Sequence, residues 1–388
     1  MISFLKAIVI LLFCIGASAM AIRFIDRQRN MMPHVVIWSI LSVVIFLTQS
    51  YPLVMAILIL VKALYLKNDV DKNISMFLSL MVVMPFSFLF KLVPGINLID
   101  VAIIQMLTIV FFLPLVYRIL RDESFHLHHP DILAMALMSL LLFNAFRVTT
   151  EYEFTWFQTV RDFIDTLLVV VIPYFVISRG LRRFASLDNA LAGLLFGGLT
   201  MAFFSVFEEA LQWRPYVEIG SIVGTMPDLE SMYEYRGGFL RVTATLTGPI
   251  TFGFYLTIVL AALMYFLRKN RISPLIQAMA VGFFLMIMLF TGSRSALLGG
   301  LLYTALYVLF SLRRRFRRVL LVPVILAAVV GGVISEAHSP GPKQTANLEQ
   351  VDQYGTFDYR KKLFFTAIRV IPDHLWFGTR MYRGDYRM

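Results

Sequence analysis

The chain is short of charge, nearly devoid of cysteine and empty of the motifs that soluble enzymes carry. Asp, Glu, Lys and Arg make up 15% of its 388 residues, against about 25% in soluble globular domains, so an ordinary soluble protein is excluded. The single cysteine, Cys14, permits neither an intrachain disulfide nor a cysteine-bound metal cluster. There is no P-loop, no dinucleotide glycine fingerprint, no G-x-S-x-G elbow and no H-E-x-x-H pair. That argues against nucleotide hydrolysis and leaves no motif-borne cofactor or metal to expect. Internal repeats and low-complexity tracts are missing too.

What the chain has in abundance is apolar sequence, 59% of all residues. Runs long enough to cross a bilayer core of about 30 Å recur along most of its length. They predict an all-α, polytopic transmembrane bundle of about twelve spans. The expected spans are 4–22, 33–48, 51–66, 75–93, 101–117, 131–147, 161–179, 190–211, 244–266, 273–291, 295–311 and 318–335. Two long runs are divided by tight turns, one at Thr48 to Pro52 and one at Thr291 to Arg294. Lys6, the apolar stretch after it and Ala17-Ser18-Ala19 mimic a cleavable signal peptide. Apolarity continues to Ile22, however, and is stopped by Arg23, Arg27 and Arg29, which reads as a spanning helix with a cytoplasmic stop.

The net charge is +11, and in a membrane protein the distribution of that charge sets orientation. Alternate connections hold Arg23, Arg27 and Arg29, then Lys62, Lys67 and Lys72, then Arg118 and Arg121, then Arg179, Arg182 and Arg183, then Arg268, Lys269 and Arg271, then the cluster from Arg313 to Arg318. These are 19 of the 35 basic residues, and they mark the cytoplasmic side. Segments 148–160, 212–243 and 291–294 and the tail after 336 then face outward. Three regions follow: N-terminal helices at 1–160, a transmembrane core at 161–335 with the outward loop 212–243, and a loop segment at 336–388.

Chemistry gathers on the outward side. Arg294 lies in the turn Thr291-Gly292-Ser293-Arg294-Ser295, just before a helix that Ser293 or Ser295 can cap. Free helix N–H groups beside a guanidinium make an anion site; the competing reading is an interfacial arginine that snorkels to headgroups. Arg241 precedes a Thr/Gly/Pro-rich stretch ending in Gly248-Pro249, with Arg236 five residues earlier as a third cation. Converging arginines without a metal cluster suit a diphosphate; the alternative is plain helix packing by small residues. Glu208 and Glu209 at one span end, and Arg161, Asp162 and Asp165 at another, are candidates because ionisable groups near a membrane are costly. His126, His128, His129 and Asp131 resemble a ligand cluster in composition but read better as an interfacial polar loop.

Three stretches together resemble the O-antigen ligase and polymerase superfamily of bacterial envelopes, the Wzy/WaaL type. They are Tyr174-Phe175 through Arg179 to Glu208, Arg241 with Gly248-Pro249, and Thr291-Gly292-Ser293-Arg294-Ser295-Ala296-Leu297-Leu298-Gly299. Arg369 to Pro372, Asp373 and Phe377-Gly378 look like the start of the family's large periplasmic loop. The resemblance covers about residues 160–388. It implies a multi-pass protein of the bacterial inner (cytoplasmic) membrane, a metal-independent inverting glycosyltransferase without cofactor. Its donor would be an undecaprenyl-diphosphate-linked glycan and its acceptor lipid A-core or a growing polysaccharide, with membrane lipids around it and no nucleic acid partner. Carried over by position, Arg241 and Arg294 would hold the diphosphate, with Arg236, Ser293 and Glu208 in support. The family's later loop histidine has no counterpart, because His374 belongs to the Pro-Asp-His-Leu-Trp segment, so the catalytic base is unassigned. The sequence ends at Met388 without a closing span; the expectation is a loop cut short, the alternative a divergent chain that has lost the activity.

Two rival classes share the span count: a transporter or flippase for lipid-linked oligosaccharide, and a non-catalytic assembly partner. Transporters usually show related halves with ionisable groups near mid-membrane, whereas here the halves do not align and the charges collect at the outer surface. The charge bias predicts that reporter fusions after Arg183 and after Tyr233 report opposite sides of the membrane. The same side for both would mean a wrong span count between them.

Overall fold

The computed structural model describes residues 2–85, 90–93, 96–121, 131–140, 143, 156–183, 185–222, 233–236, 239–246, 248–311 and 365. The chain divides into two compact units. The first comprises Met1–Leu127 and Ile164–Thr304, the second His128–Phe163 and Ala305–Met388.

The first unit is a helical bundle. Its elements are α1 (Ile2–Ile25), α2 (Met32–Thr48), α3 (Tyr51–Val61), α4 (Val70–Leu80), the hairpin of β1 (Phe90–Val93) and β2 (Ile96–Val101), α5 (Ile103–Leu107) and α6 (Leu113–Leu120). In the second unit, α7 (Asp131–Leu140) exposes most of its apolar side chains, and the first part of α8 (Trp156–Thr166) belongs there as well. The first unit resumes within α8 and continues with α9 (Ile172–Arg183), α10 (Leu187–Leu211), α11 (Pro215–Ile222), β3 (Tyr235–Arg236), β4 (Phe239–Leu240), α12 (Pro249–Lys269), α13 (Pro274–Phe290) and α14 (Arg294–Ser311). The last residues of α14 fall in the second unit.

Five helical stretches are long and apolar enough to cross a membrane: Ser3–Ile25, Ile103–Leu120, Phe163–Arg182, Leu187–Leu211 and Pro249–Lys269. Five shorter apolar helices accompany them: Met32–Thr48, Tyr51–Leu66, Asp131–Leu140, Pro274–Phe290 and Arg294–Leu309. The chain is therefore a multi-pass helical membrane protein. Both expected turns are present. Gln49 adopts φ 52° between α2 and α3, and Gly292 adopts φ 62° between α13 and α14.

Two expected spans need correction. The span expected at 75–93 is not one continuous helix, because α4 ends at Leu80 and the chain opens from Met81 to Pro85. Proline removes a backbone donor and clashes with the carbonyl four residues earlier, so Pro85 ends what apolarity alone would continue. The span expected from 244 starts at Pro249, where proline suits the first helical turn. The expected span at 318–335, the cluster from His126 to His129, His374 and the other segments beyond residue 311, Phe365 aside, lie outside the described residues.

The centre of the first unit is α10, which packs against α1, α4 and α12. Neighbouring protein buries 78% of its apolar window, more than for any other long span described. Lipid offers no hydrophobic drive between helices, so close approach by small residues has to supply the attraction. A Cβ at Gly193 would overlap the carbonyl oxygen of Ser75, one at Gly197 that of Ser79, and one at Gly198 the side chain of Val259. The first two contacts advance together along both helices, so α4 and α10 run parallel at backbone contact. Above and below them sit Trp38, whose indole donates to Ser79 Oγ at 2.8 Å, and Phe196, packed against Trp38 and His34.

Gly193→Ala is expected to destabilise the bundle by about 1–3 kcal/mol, the usual cost of forcing atoms into a closed core. Gly282→Ala, with open space around it, should stay within about 0.5 kcal/mol of wild type. Thermal unfolding of detergent-solubilised protein measures both, and equal melting temperatures would contradict the backbone contact.

Candidate functional site

The site is assembled where the chain runs outside the helices at one end of the bundle. Between β4 and α12, residues 241–246 run without regular structure and are mostly buried. Irregular backbone is tolerated there only if protein groups replace the missing helical hydrogen bonds. Glu208, near the end of α10 and 1% exposed, supplies two. Its Oε2 accepts the backbone N–H of Thr243 at 3.3 Å and of Ala244 at 3.0 Å. Val242 N–H donates to the Phe290 carbonyl at 3.2 Å, tying the stretch to the end of α13. Thr245 Oγ1 donates to the Val82 carbonyl at 2.8 Å, and Tyr216 Oη donates to the Val83 carbonyl at 3.2 Å. The opened end of α4 and the strand before α12 thus satisfy each other and their neighbours.

That strand delivers Arg241. Its Nε donates to the Thr291 carbonyl at 3.1 Å, its Nη1 pairs with Glu234, and its backbone N–H donates to the Glu234 carbonyl at 2.9 Å. Two of the three guanidinium nitrogens are committed and the fork is held in place.

The turn after α13 delivers Arg294. Thr291 Oγ1 donates to Met288 O at 2.7 Å and accepts from Ser293 N–H at 3.2 Å, while Ser293 Oγ accepts from Ala296 N–H at 3.4 Å, capping α14. Gly292 supplies the left-handed conformation that closes the turn. Gly253 of α12 lies against Ala296 and Thr291, and Gly300 against Met288, so the turn is clamped by α12 and by α13. Arg294 is exposed and, among the described residues, has no hydrogen-bonding partner.

Arg241 and Arg294 line one cavity of about 210 Å³ with Phe239, Phe290, Gly292 and Ser293. It is lined by two cations, the capped N-terminus of α14 and aromatic rings. Such a donor set binds phosphate oxygens by charge-assisted hydrogen bonds. Of the residues expected here, Arg241, Arg294 and Ser293 come together. Glu208 stands behind the strand as a positioning group. Arg236 is paired through its backbone with Phe239 in the β3–β4 hairpin, and its side chain lies outside the described residues. Asp165 is elsewhere, accepting from Gln105 Nε2 at 2.7 Å.

Sequence reasoning missed Arg214. This arginine is 3% exposed, its guanidinium lies 5.8 Å from the Tyr233 ring, and its backbone N–H donates to Tyr233 Oη at 3.1 Å. Burial pushes its pKa down, and the neighbouring charges of Glu208 and Glu234 oppose the shift. It therefore balances the buried Glu208 carboxylate. The only local signal was its place two residues after a glutamine that ends a span.

This multi-pass class narrows with the comparisons. The family model described as O-antigen ligase (Wzy_C) matches residues 278–387, a segment that contains the Thr291–Ser295 turn and Arg294. Over that segment the sequence is similar to the O-antigen ligase family. No curated protein and no solved structure matches it.

Glu208→Ala removes the acceptor for two buried N–H groups and is expected to cost on the order of 3 kcal/mol, whereas Glu208→Gln keeps an acceptor oxygen and should retain most of that stability. Thermal unfolding of the two variants separates the hydrogen-bonding role from a purely electrostatic one; similar losses in both would assign the effect to charge.

Proposed function

We propose that the protein transfers a glycan from an undecaprenyl-diphosphate donor to an acceptor hydroxyl, on lipid A-core or on a growing polysaccharide, at the outward face of the bacterial inner membrane. The observation that supports it is the shared cavity of Arg241 and Arg294 beside the α14 N-terminus. The family match over residues 278–387 makes a lipid-linked glycan the natural ligand class.

In this reading the acceptor hydroxyl oxygen attacks the anomeric carbon from the face opposite the diphosphate, the bond from that carbon to the diphosphate oxygen breaks, the hydroxyl proton ends on the released diphosphate or in solvent, and the configuration inverts. Negative charge grows on the departing diphosphate. Arg241 and Arg294 offset it, and the α14 N-terminus beside them favours negative charge through its dipole. Fixed cations do here what a metal ion does in other transferases, at no cost of reorganisation during the reaction. Arg236 is a further cation within the same reading, and Glu208 acts only by holding the strand that carries Arg241. Exposed Glu234 stands in for an anion on the Arg241 fork, so a donor diphosphate competes with it for Nη1.

Arg294→Lys keeps the charge but loses the planar fork that binds two oxygens at once. Removing one preorganised donor at developing charge costs on the order of a hundredfold in rate. Arg121→Lys, on the exposed end of α6, should leave the rate unchanged. The assay is glycan transfer from a lipid-diphosphate donor at equal protein level; a wild-type rate for Arg294→Lys would return Arg294 to an interfacial anchor and remove the basis of this function.

A further inference from the structure

At the other end of α10 and α12 a second and larger cavity opens, about 510 Å³. Asp188 and Glu208 mark the two ends of α10, twenty residues apart in sequence, about 30 Å along the axis. That equals the thickness of a bilayer core, so the two cavities belong to opposite membrane faces. The second one is at the basic end.

Its walls are polar and their charges are held in a frame. Arg29 Nη1 donates to Asn189 Oδ1 at 2.7 Å and to the Asp188 carbonyl at 3.2 Å, while its Nε pairs with Asp26 at 3.0 Å. Asp71 accepts from Ser186 N–H at 2.7 Å and from Asn189 Nδ2. Lys269 pairs with Asp188, which also accepts from Tyr265 Oη at 2.6 Å. Lys72 stands at the rim over the Tyr65 ring, 5.3 Å from its centroid. His34 is nine-tenths buried in the wall, its Nε2 3.1 Å from Ser75 Oγ, and its Nδ1 has no hydrogen-bond partner among the described residues. A buried ring nitrogen in a polar cavity asks for a ligand or water to complete it.

Arg29, Lys72 and Lys269 are matched by Asp26, Asp71 and Asp188, so the lining carries both signs in equal number. A simple anion gains no net attraction from such a wall. A short zwitterion does, placing a phosphate against the cations and an ammonium against the carboxylates. The same turns of α1 and α2 that carry Asp26 and His34 expose Phe24, Met32 and Val36, an apolar surface continuous with acyl chains.

We propose that this cavity binds the zwitterionic headgroup of an aminophospholipid, a phosphate joined to an ammonium by a short linker, drawn from the leaflet at the basic end of the bundle. The site is separate from the Arg241–Arg294 cavity and does not depend on what that cavity binds.

The test is a titration of the purified full chain in detergent with short-chain phosphatidylethanolamine, short-chain phosphatidylglycerol and soluble phosphoethanolamine, read by native mass spectrometry and by melting temperature. Phosphatidylethanolamine should bind and raise the melting temperature, and phosphatidylglycerol should do neither. Lys72→Glu should weaken phosphatidylethanolamine binding about tenfold, the loss of one charge-assisted bond. Lys72 is the third residue of α4 after its Asp69 cap, a position where a glutamate suits the helix dipole, and the Lys72–Asp69 ion pair it gives up, 3.6 Å and exposed, contributes little, so the ligand-free melting temperature should hold to within a few degrees. Equal binding of the two lipids, or unchanged affinity in Lys72→Glu, would overturn the proposal. Binding of phosphoethanolamine without binding of the lipid would overturn the lipid source.

Discussion

A backbone group inside a bilayer has no water to turn to, and the architecture of the site follows from that constraint. Where α4 opens at Met81 and where the chain approaches α12 through residues 241–246, the ladder of helical hydrogen bonds is interrupted twice in one region. Each interruption would be costly alone. Together they are tolerable, because Thr245 of one stretch donates to Val82 of the other, Tyr216 donates to Val83, and the Glu208 carboxylate takes two N–H groups of the strand. A carboxylate buried for this purpose needs a compensating cation, and Arg214 lies near enough for its charge to act on it.

The same constraint explains the role of glycine in α10. The opened part of α4 is reached only because the helical part lies directly against α10, and Gly193 and Gly197 allow that contact by presenting no side chain to Ser75 and Ser79. Dispersion between closely apposed backbones then takes the place of a hydrophobic drive that lipid does not provide. Helix packing and the irregular strand are one construction: spreading α4 from α10 would move the Val82 carbonyl away from Thr245.

Much of this could be read from the sequence, and the rest had physical reasons to stay hidden. The helical class and the turns at Gln49 and Gly292 follow from local apolarity and turn chemistry, whereas the Gly-Ser-Arg stretch stood out through its resemblance to the O-antigen ligase and polymerase family. The break in α4 did not, because residues 75–93 are predominantly apolar and the span expected there runs across Pro85. The groups that make the break affordable come from far along the chain: Thr245 is 163 residues from Val82, and Tyr216 is 133 from Val83. Glu208 stood out as an ionisable residue at a span end, but nothing local indicated that it accepts from Thr243 and Ala244. The second cavity left no motif at all, since its residues are scattered from Asp26 to Asn270 and meet only through the ends of the helices.

The Thr291 carbonyl that holds Arg241 lies three residues before Arg294, and the neighbouring Phe290 carbonyl holds Val242. The distance between the two arginines is therefore governed by a single turn of backbone, itself wedged against Gly253 of α12. Tilting α13 and α14 carries both arginines together. The backbone positions of the pair are thus set like the arms of a caliper with a welded hinge, and in the proposed reading that spacing suits the fixed diphosphate of a donor rather than the variable glycan attached to it.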